Sequence, residues 1–263
     1  MKMRLLTVIA TAAFALACAP IAHAIEDAGP DLATEFAREV SPRFALPADG
    51  QRDYAELLRA TLSNESMSAP SPWYVVLVDR SASVQAAFIY LLGPGIDWAF
   101  IGASPVSTGR PGSVDHFLTP LGVFSHSLQN MDFRAEGTRN KNGIRGYGIK
   151  GMRVFDFGWV MGERGWGAGG KSIMRLLIHA TDPDSLEKRL GERASKGCIR
   201  ISATLNHFID RYGLIDADYE QAAQHGRLLL VLRGDRTPVA TPGRYLVVVN
   251  TQRSARPAWA LRS

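Results

Sequence analysis

A mainly β fold with a few short helices, preceded by a short helical N-terminal segment, is what this sequence predicts. Three observations carry that expectation. The first is a set of runs rich in β-branched and aromatic residues, each bounded by turn residues: WYVVLVD (73–79), QAAFIYLL (85–92) and WAFIGAS (98–104). The second is an apolar run of strand length, SIMRLLIHA (172–180), followed by RLLLVLR (227–233) and RYLVVVN (244–250). The third is a glycine-rich stretch from 105 to 170, in which only short pieces around Gly122–Phe124 and Val154–Val160 look like strands.

At the N-terminus, Lys2 and Arg4 precede an apolar stretch, Leu5 to Ala17, that is too short to span a bilayer comfortably. Ala22-His23-Ala24 then places small residues at −3 and −1 of a cleavage point. Residues 1–24 read as a secretory signal peptide, and the protein as exported to the periplasm or cell envelope. A lipoprotein cut before Cys18 is disfavoured by Ala15, which stands where a larger aliphatic is preferred. Residues 25–72 read as a polar helical segment and linker. Tyr54, Leu57, Leu58 and Leu62 share one helical face, and SNESMSAPSP (63–72) is a Ser/Pro linker.

The main domain is placed at 73–233, with a C-terminal strand and tail at 234–263. Inside it, Asp182 and Pro183 predict the N-cap and first residue of a short helix ending at Gly191. A clearer helix follows Ser202 as N-cap: Leu205, Phe208, Ile209 and Tyr212 have helical spacing, and Gly213 stops it. No internal repeat is visible.

The formal net charge of +5 is evenly spread. It suits a polyanionic neighbourhood such as a cell wall or membrane surface and is too mild to argue for nucleic acid. Of two cysteines, Cys18 leaves with the signal peptide. Cys198 is then a lone thiol in an exported chain. It cannot form an internal disulfide, and is either a buried passenger or a reactive group.

Gly165, Gly170, Lys171 and Ser172 satisfy the spacing of a nucleotide phosphate loop. Such a loop needs a helix to begin at Lys-Ser, so that its amides aim at the anion. Here Ile173 to Ile178 and then Thr181-Asp182-Pro183 leave little room for one. The expectation is a glycine-rich surface loop feeding a strand, with no nucleotide and no cofactor. Arg233-Gly234-Asp235 is likewise a turn at a strand end. A zinc site built on His179, Cys198 and another histidine lacks any C-x-x-C or H-x-x-x-H pair, so no metal is expected.

His179 ends the apolar run, and Cys198 follows in RASKGCIRI. A thiol attacks carbonyls as thiolate, and an imidazole can take its proton and hold the ion pair. Amides of the glycine-flanked turn Ser195-Lys196-Gly197-Cys198 can stabilise an oxyanion. Thiol acyl transfer is one reading of these residues; an inert cysteine is the other.

The local sequence IHATDPDSLEKRLGERASKGCIRIS resembles the active-site signature of the L,D-transpeptidase (YkuD-like) family. There a histidine is followed, some fifteen residues later, by Ser/Thr-His-Gly-Cys, a hydrophobic residue and Asn or Arg. Fifteen residues separate His179 from Ser195, and Gly197, Cys198, Ile199 and Arg200 match. SPVSTGRPG (104–112) and TPLGVFSH (119–126) are similar to the family's upstream strand and Thr-Pro-x-Gly-x-Phe segment. Lys196 stands where the family usually has histidine.

The resemblance implies a β-sandwich-like catalytic domain and a peptidoglycan L,D-transpeptidase. Cys198 would be the nucleophile and His179 the base, with Gly197 in the oxyanion turn and Ser195 supporting it. A stem peptide would lose its terminal D-alanine and pass through a thioester to an amine, on another stem or on an envelope protein. Arg200, Tyr147 and His126 are expected at the substrate, and Lys196 in an electrostatic role beside the thiol. Trp159 and Trp166 are expected to pack; His116, His207 and His225 to be exposed or satisfied. Two alternatives stay open. One is hydrolysis by the same chemistry, as an L,D-carboxypeptidase or a wall-protein-releasing amidase. The other is a non-catalytic wall-binding module.

Overall fold

The computed structural model describes residues 31–67, 72–93 and 98–260. Residues 1–24, read above as a signal peptide, and part of the Ser/Pro linker lie outside the described residues. Ten strands form two mixed sheets. The first has the order β3(Trp98–Pro105)-β2(Ala86–Leu92)-β1(Trp73–Asp79)-β10(Tyr245–Val249)-β5(Gly122–Ser125), with β1 and β10 parallel. The second runs β4(Phe117–Leu118)-β7(Arg153–Arg164)-β8(Lys171–Ala180)-β9(Ile199–Ile201); β6(Phe133–Arg134) also pairs with β7, and β8 and β9 are parallel.

Alternation along the strands decides what faces what. Tyr74, Val76, Val78, Ala87, Ile89, Leu246 and Val248 of the first sheet share one core with Phe155, Phe157, Leu176, Ile178, Ile199 and Ile201 of the second. The alternate residues Trp73, Val75, Leu77, Phe88, Tyr90 and Val247 turn the other way, onto α2(Ala48–Asn64). The central strands β1 and β2 are therefore buried on both faces, which explains their unbroken apolar runs.

The N-terminal helices are built into these cores. In α1(Leu32–Glu39), Leu32 and Phe36 are buried, and Phe36 meets Phe208 edge-on at 5.3 Å. Any side chain at Gly102 would strike the Phe36 ring, so this strand has room only for glycine there. In α2, Tyr54 stacks on Phe88 at 4.0 Å, and its hydroxyl donates to the buried Asp79 at 2.8 Å. Each large apolar side chain buried here contributes roughly 1.5–3 kcal/mol.

α3(Ala203–Tyr212) has the anticipated caps: the Ser202 hydroxyl accepts from the Leu205 amide at 3.1 Å, and Gly213 is left-handed at φ 57°. Two expectations are corrected and one helix is added. The segment 227–233 is not a strand. Leu229 and Val231 are buried beside Tyr219, but the Leu232 amide turns back to the Leu229 carbonyl, and Arg134 supplies the donors to Val231 that a neighbouring strand would have given. After Asp182 the chain makes turns and a short 3-10 stretch, Glu187–Arg189, because the Asp182 carboxylate takes the Asp184 and Arg145 amides. A fourth helix, α4(Ala217–Gln224), went unread in the sequence. The phosphate-loop residues 165–170 form the tip between β7 and β8. Lys171 and Ser172 begin a strand, so no helix N-terminus is there to bind phosphate.

Candidate active site

One face of the second sheet lies in the core; the other carries the chemistry. With Leu176 and Ile178 packed inward, Arg175, Leu177 and His179 face out from β8. The parallel register sets His179 beside Arg200 of β9, and Cys198 precedes that strand by one residue. Across β7, Asp156 stands opposite Leu177 and Trp159 opposite Arg175.

The thiol is fixed by its surroundings. The Cys198 S–H donates to the Arg175 carbonyl at 3.9 Å. Burial pushes its pKa above the usual thiol range; the Leu177 and Cys198 amides and Arg200 pull it down, and Asp156 opposes them. His179 is buried and its pKa is lowered to about 4, mainly by burial and further by Arg200. Its Nδ1 donates to the Ala180 carbonyl at 2.8 Å, so that nitrogen holds the proton of the neutral ring and Nε2 is left as the base. Burial thus favours the uncharged form of both partners.

This has a measurable consequence. Alkylation of Cys198 by iodoacetamide in the free protein should follow thiol ionisation and still be climbing at pH 9. A rate that is flat from about pH 5 to pH 8 would mean that the ion pair exists at rest.

The turn before β9 is held by side chains. The Ser195 hydroxyl donates to the Cys198 carbonyl at 2.5 Å and accepts from the Gly197 amide at 3.0 Å. Buried Thr119, from the Thr-Pro segment, donates to the Gly197 carbonyl at 2.7 Å and accepts from the Gly109 amide at 2.9 Å. Gly197 sits at φ 134°, and a Cβ there would come within 2.8 Å of the Met174 methyl. The Gly197 amide is thus occupied by Ser195, and the amide of the turn that faces the sulfur is that of Cys198.

Tyr147 meets the His179 ring edge-on at 4.9 Å, carried by a loop that reaches the strand through Gly148. A side chain at Gly148 would press on Ala180. Arg200 is half-buried, with Nη1 donating to the Ala194 carbonyl at 3.2 Å. Lys196 is exposed, and Arg200 is among the groups that lower the thiol pKa.

His126 is not available to a substrate. It is fully buried, with Nε2 on Asp132 at 2.8 Å, Nδ1 on the Ile215 carbonyl at 2.9 Å and its ring stacked on Tyr219 at 4.9 Å. His126, Asp132 and Asp216 are spaced as metal ligands might be, but the Arg153 guanidinium already fills the space between both carboxylates. Trp159 is 69 % exposed instead of packed, while Trp166 packs edge-on against Phe117 at 4.9 Å.

Arg175, Asp156, Thr119 and the Leu177 amide were not singled out from sequence. For Arg175 the signal existed: it lies four residues before His179 in a strand, hence on the same face. What fold and site define together is a mainly β protein with a thiol, an imidazole and two guanidinium groups on the outward face of its second sheet. A scan against protein-family models finds no match to the chain, and a search of curated proteins finds none either.

Proposed function

We propose that the protein is a peptidoglycan L,D-transpeptidase with a β-sandwich catalytic domain of that type, acting in the periplasm or cell envelope. The observation that carries this reading is the convergence of Cys198, His179, Arg200 and Tyr147 on one sheet face, with Ser195 and Thr119 holding the nucleophile's turn. The His179-to-Cys198 sequence, which resembles that family's signature, supplies the substrate class. Among the described residues no helix is long and apolar enough to cross a membrane.

The steps follow from the residues. A stem peptide enters with its third residue, such as meso-diaminopimelate, and terminal D-alanine over the thiol. The Cys198 thiol leaves the Arg175 carbonyl and gives its proton to His179 Nε2. The sulfur attacks the carbonyl at the L-centre, and the Cys198 amide donates to the oxyanion. Imidazolium returns the proton to the departing D-alanine amine, leaving a thioester. An acceptor amine, on a second stem or an envelope protein, attacks that thioester while His179 takes its proton. The free energy of the broken peptide bond is kept in the thioester, so no nucleotide is needed.

Arg200 stabilises negative charge on sulfur and substrate, and Tyr147 covers the imidazole. Lys196 adds a solvent-facing positive charge near the thiol's turn.

Incubation with tetrapeptide muropeptides separates the readings. Crosslinked dimers with released D-alanine are the expected products. Trimmed monomers alone would make the enzyme a carboxypeptidase, and unchanged muropeptides would leave a wall-binding module.

A further inference from the structure

We propose that Arg175 is an anion-binding residue beside the thiol and receives a carboxylate of the acyl donor. The ligand's identity rests on the transpeptidase reading; the anion site itself does not.

The geometry singles out this side chain. Arg175 shares the outward face of β8 with His179, and its own carbonyl receives the Cys198 thiol at 3.9 Å. Its guanidinium is oriented by Asp156, to which Nε donates at 2.8 Å and Nη2 also donates. Asp156 is fully buried and is itself fixed, because its other oxygen accepts from the Gly158 amide at 2.8 Å. The arginine is therefore aimed and still accessible. Its side chain is 44 % exposed, and Nη1 has no acceptor among the described residues.

Arg200 differs. It is half-buried and spends Nη1 on the Ala194 carbonyl. Asp156 offsets one of the two arginines, so the three groups together keep one positive charge. A guanidinium with a free planar edge matches a carboxylate better than any other side chain does. Exposed Trp159 stands opposite Arg175 in the ladder. A stem peptide whose third residue is meso-diaminopimelate offers such carboxylates on both sides of the bond to be cut. The mutual influence of Arg175 and the Cys198 charge agrees with their closeness.

A purely structural Arg175, present only to neutralise Asp156, would affect all reagents alike. The test therefore compares two that differ in charge. Cys198 is alkylated with iodoacetate, an anion, and with iodoacetamide, its neutral counterpart, at one pH and low salt. The ratio of the two rates cancels the thiolate fraction and any general change in access. Arg175→Gln should lower the iodoacetate-to-iodoacetamide ratio about threefold or more, and Arg175→Lys should keep most of it. An unchanged ratio in Arg175→Gln would overturn the anion site.

The ligand is then read with stem tetrapeptides whose side-chain carboxylates are free or amidated. The wild type should favour the free form through KM, and Arg175→Gln should lose that preference with kcat little changed. Equal KM for both forms in the wild type would overturn the ligand assignment alone. Failure of the wild type to act on either peptide would sink the transpeptidase reading and that assignment, while the alkylation ratio would still judge the anion site.

Discussion

Arg153→Leu is expected to lower the unfolding free energy by about 3–5 kcal/mol, the range for breaking a buried ion pair from one side. Arg153 is fully buried at the start of β7. Its Nε donates to Asp132 at 2.6 Å, and Nη1 and Nη2 donate to Asp216 at 2.7 and 2.9 Å. Its guanidinium carbon lies 4.9 Å from the ring centres of both Phe155 and Tyr219. Leucine would keep the apolar packing and leave two buried carboxylates short of their main partner.

His126 would remain for Asp132 and Arg236 for Asp216, which sets the upper bound. Urea unfolding of wild type, Arg153→Leu and Arg153→Lys measures the loss. A change below about 1 kcal/mol for leucine would show that the network is not a main support. The same network matters to the site. It ties β6, and through Phe133 the Tyr147 loop, to the end of β7 that pairs with His179.

The L,D-transpeptidase resemblance implies that Cys198 is also acylated by carbapenems, and His179→Ala should slow that acylation by about 10² to 10⁴, the usual contribution of a positioned base. The sign of the pH dependence follows from the lowered imidazole pKa. Nε2 is free to accept a proton at every pH above about 4, so the wild-type acid limb should fall near that value and not near 6.5. The alanine variant should lose the limb and follow thiol ionisation alone. A wild-type rate in His179→Ala would remove the imidazole from the reaction.

Much of the fold was legible because burial is two-sided. The runs at 73–79, 85–92 and 244–250 lie between α2 and the second sheet, and a strand covered on both faces needs apolar residues at every position. The misread run at 227–233 shows the limit of that rule. Leu229 and Val231 go inward while Leu228 and Leu230 are 84 % and 87 % exposed, an alternation that imitates a strand. What prevents pairing is Arg134, a residue remote in sequence that takes the Val231 carbonyl.

The site was legible where its parts are close along the chain. The turn from Ser195 to Arg200 could be read as a unit. Thr119 and Asp156 could not, since each acts through a contact made only by folding: a hydroxyl on the Gly197 carbonyl, a carboxylate under Arg175. His126 was misplaced for the same reason. Nothing local reveals that Asp132 and Asp216 enclose it.

On the proposed function, Cys198 carries an acyl group taken from a peptidoglycan stem. The most direct measurement is the mass of the Cys198-bearing peptide after brief incubation with a purified tetrapeptide muropeptide and an acid quench. A gain equal to the donor less one alanine is expected on Cys198 in the wild type, and none in Cys198→Ala. An unmodified Cys198 in protein that has released D-alanine, or the same adduct in Cys198→Ala, would contradict it.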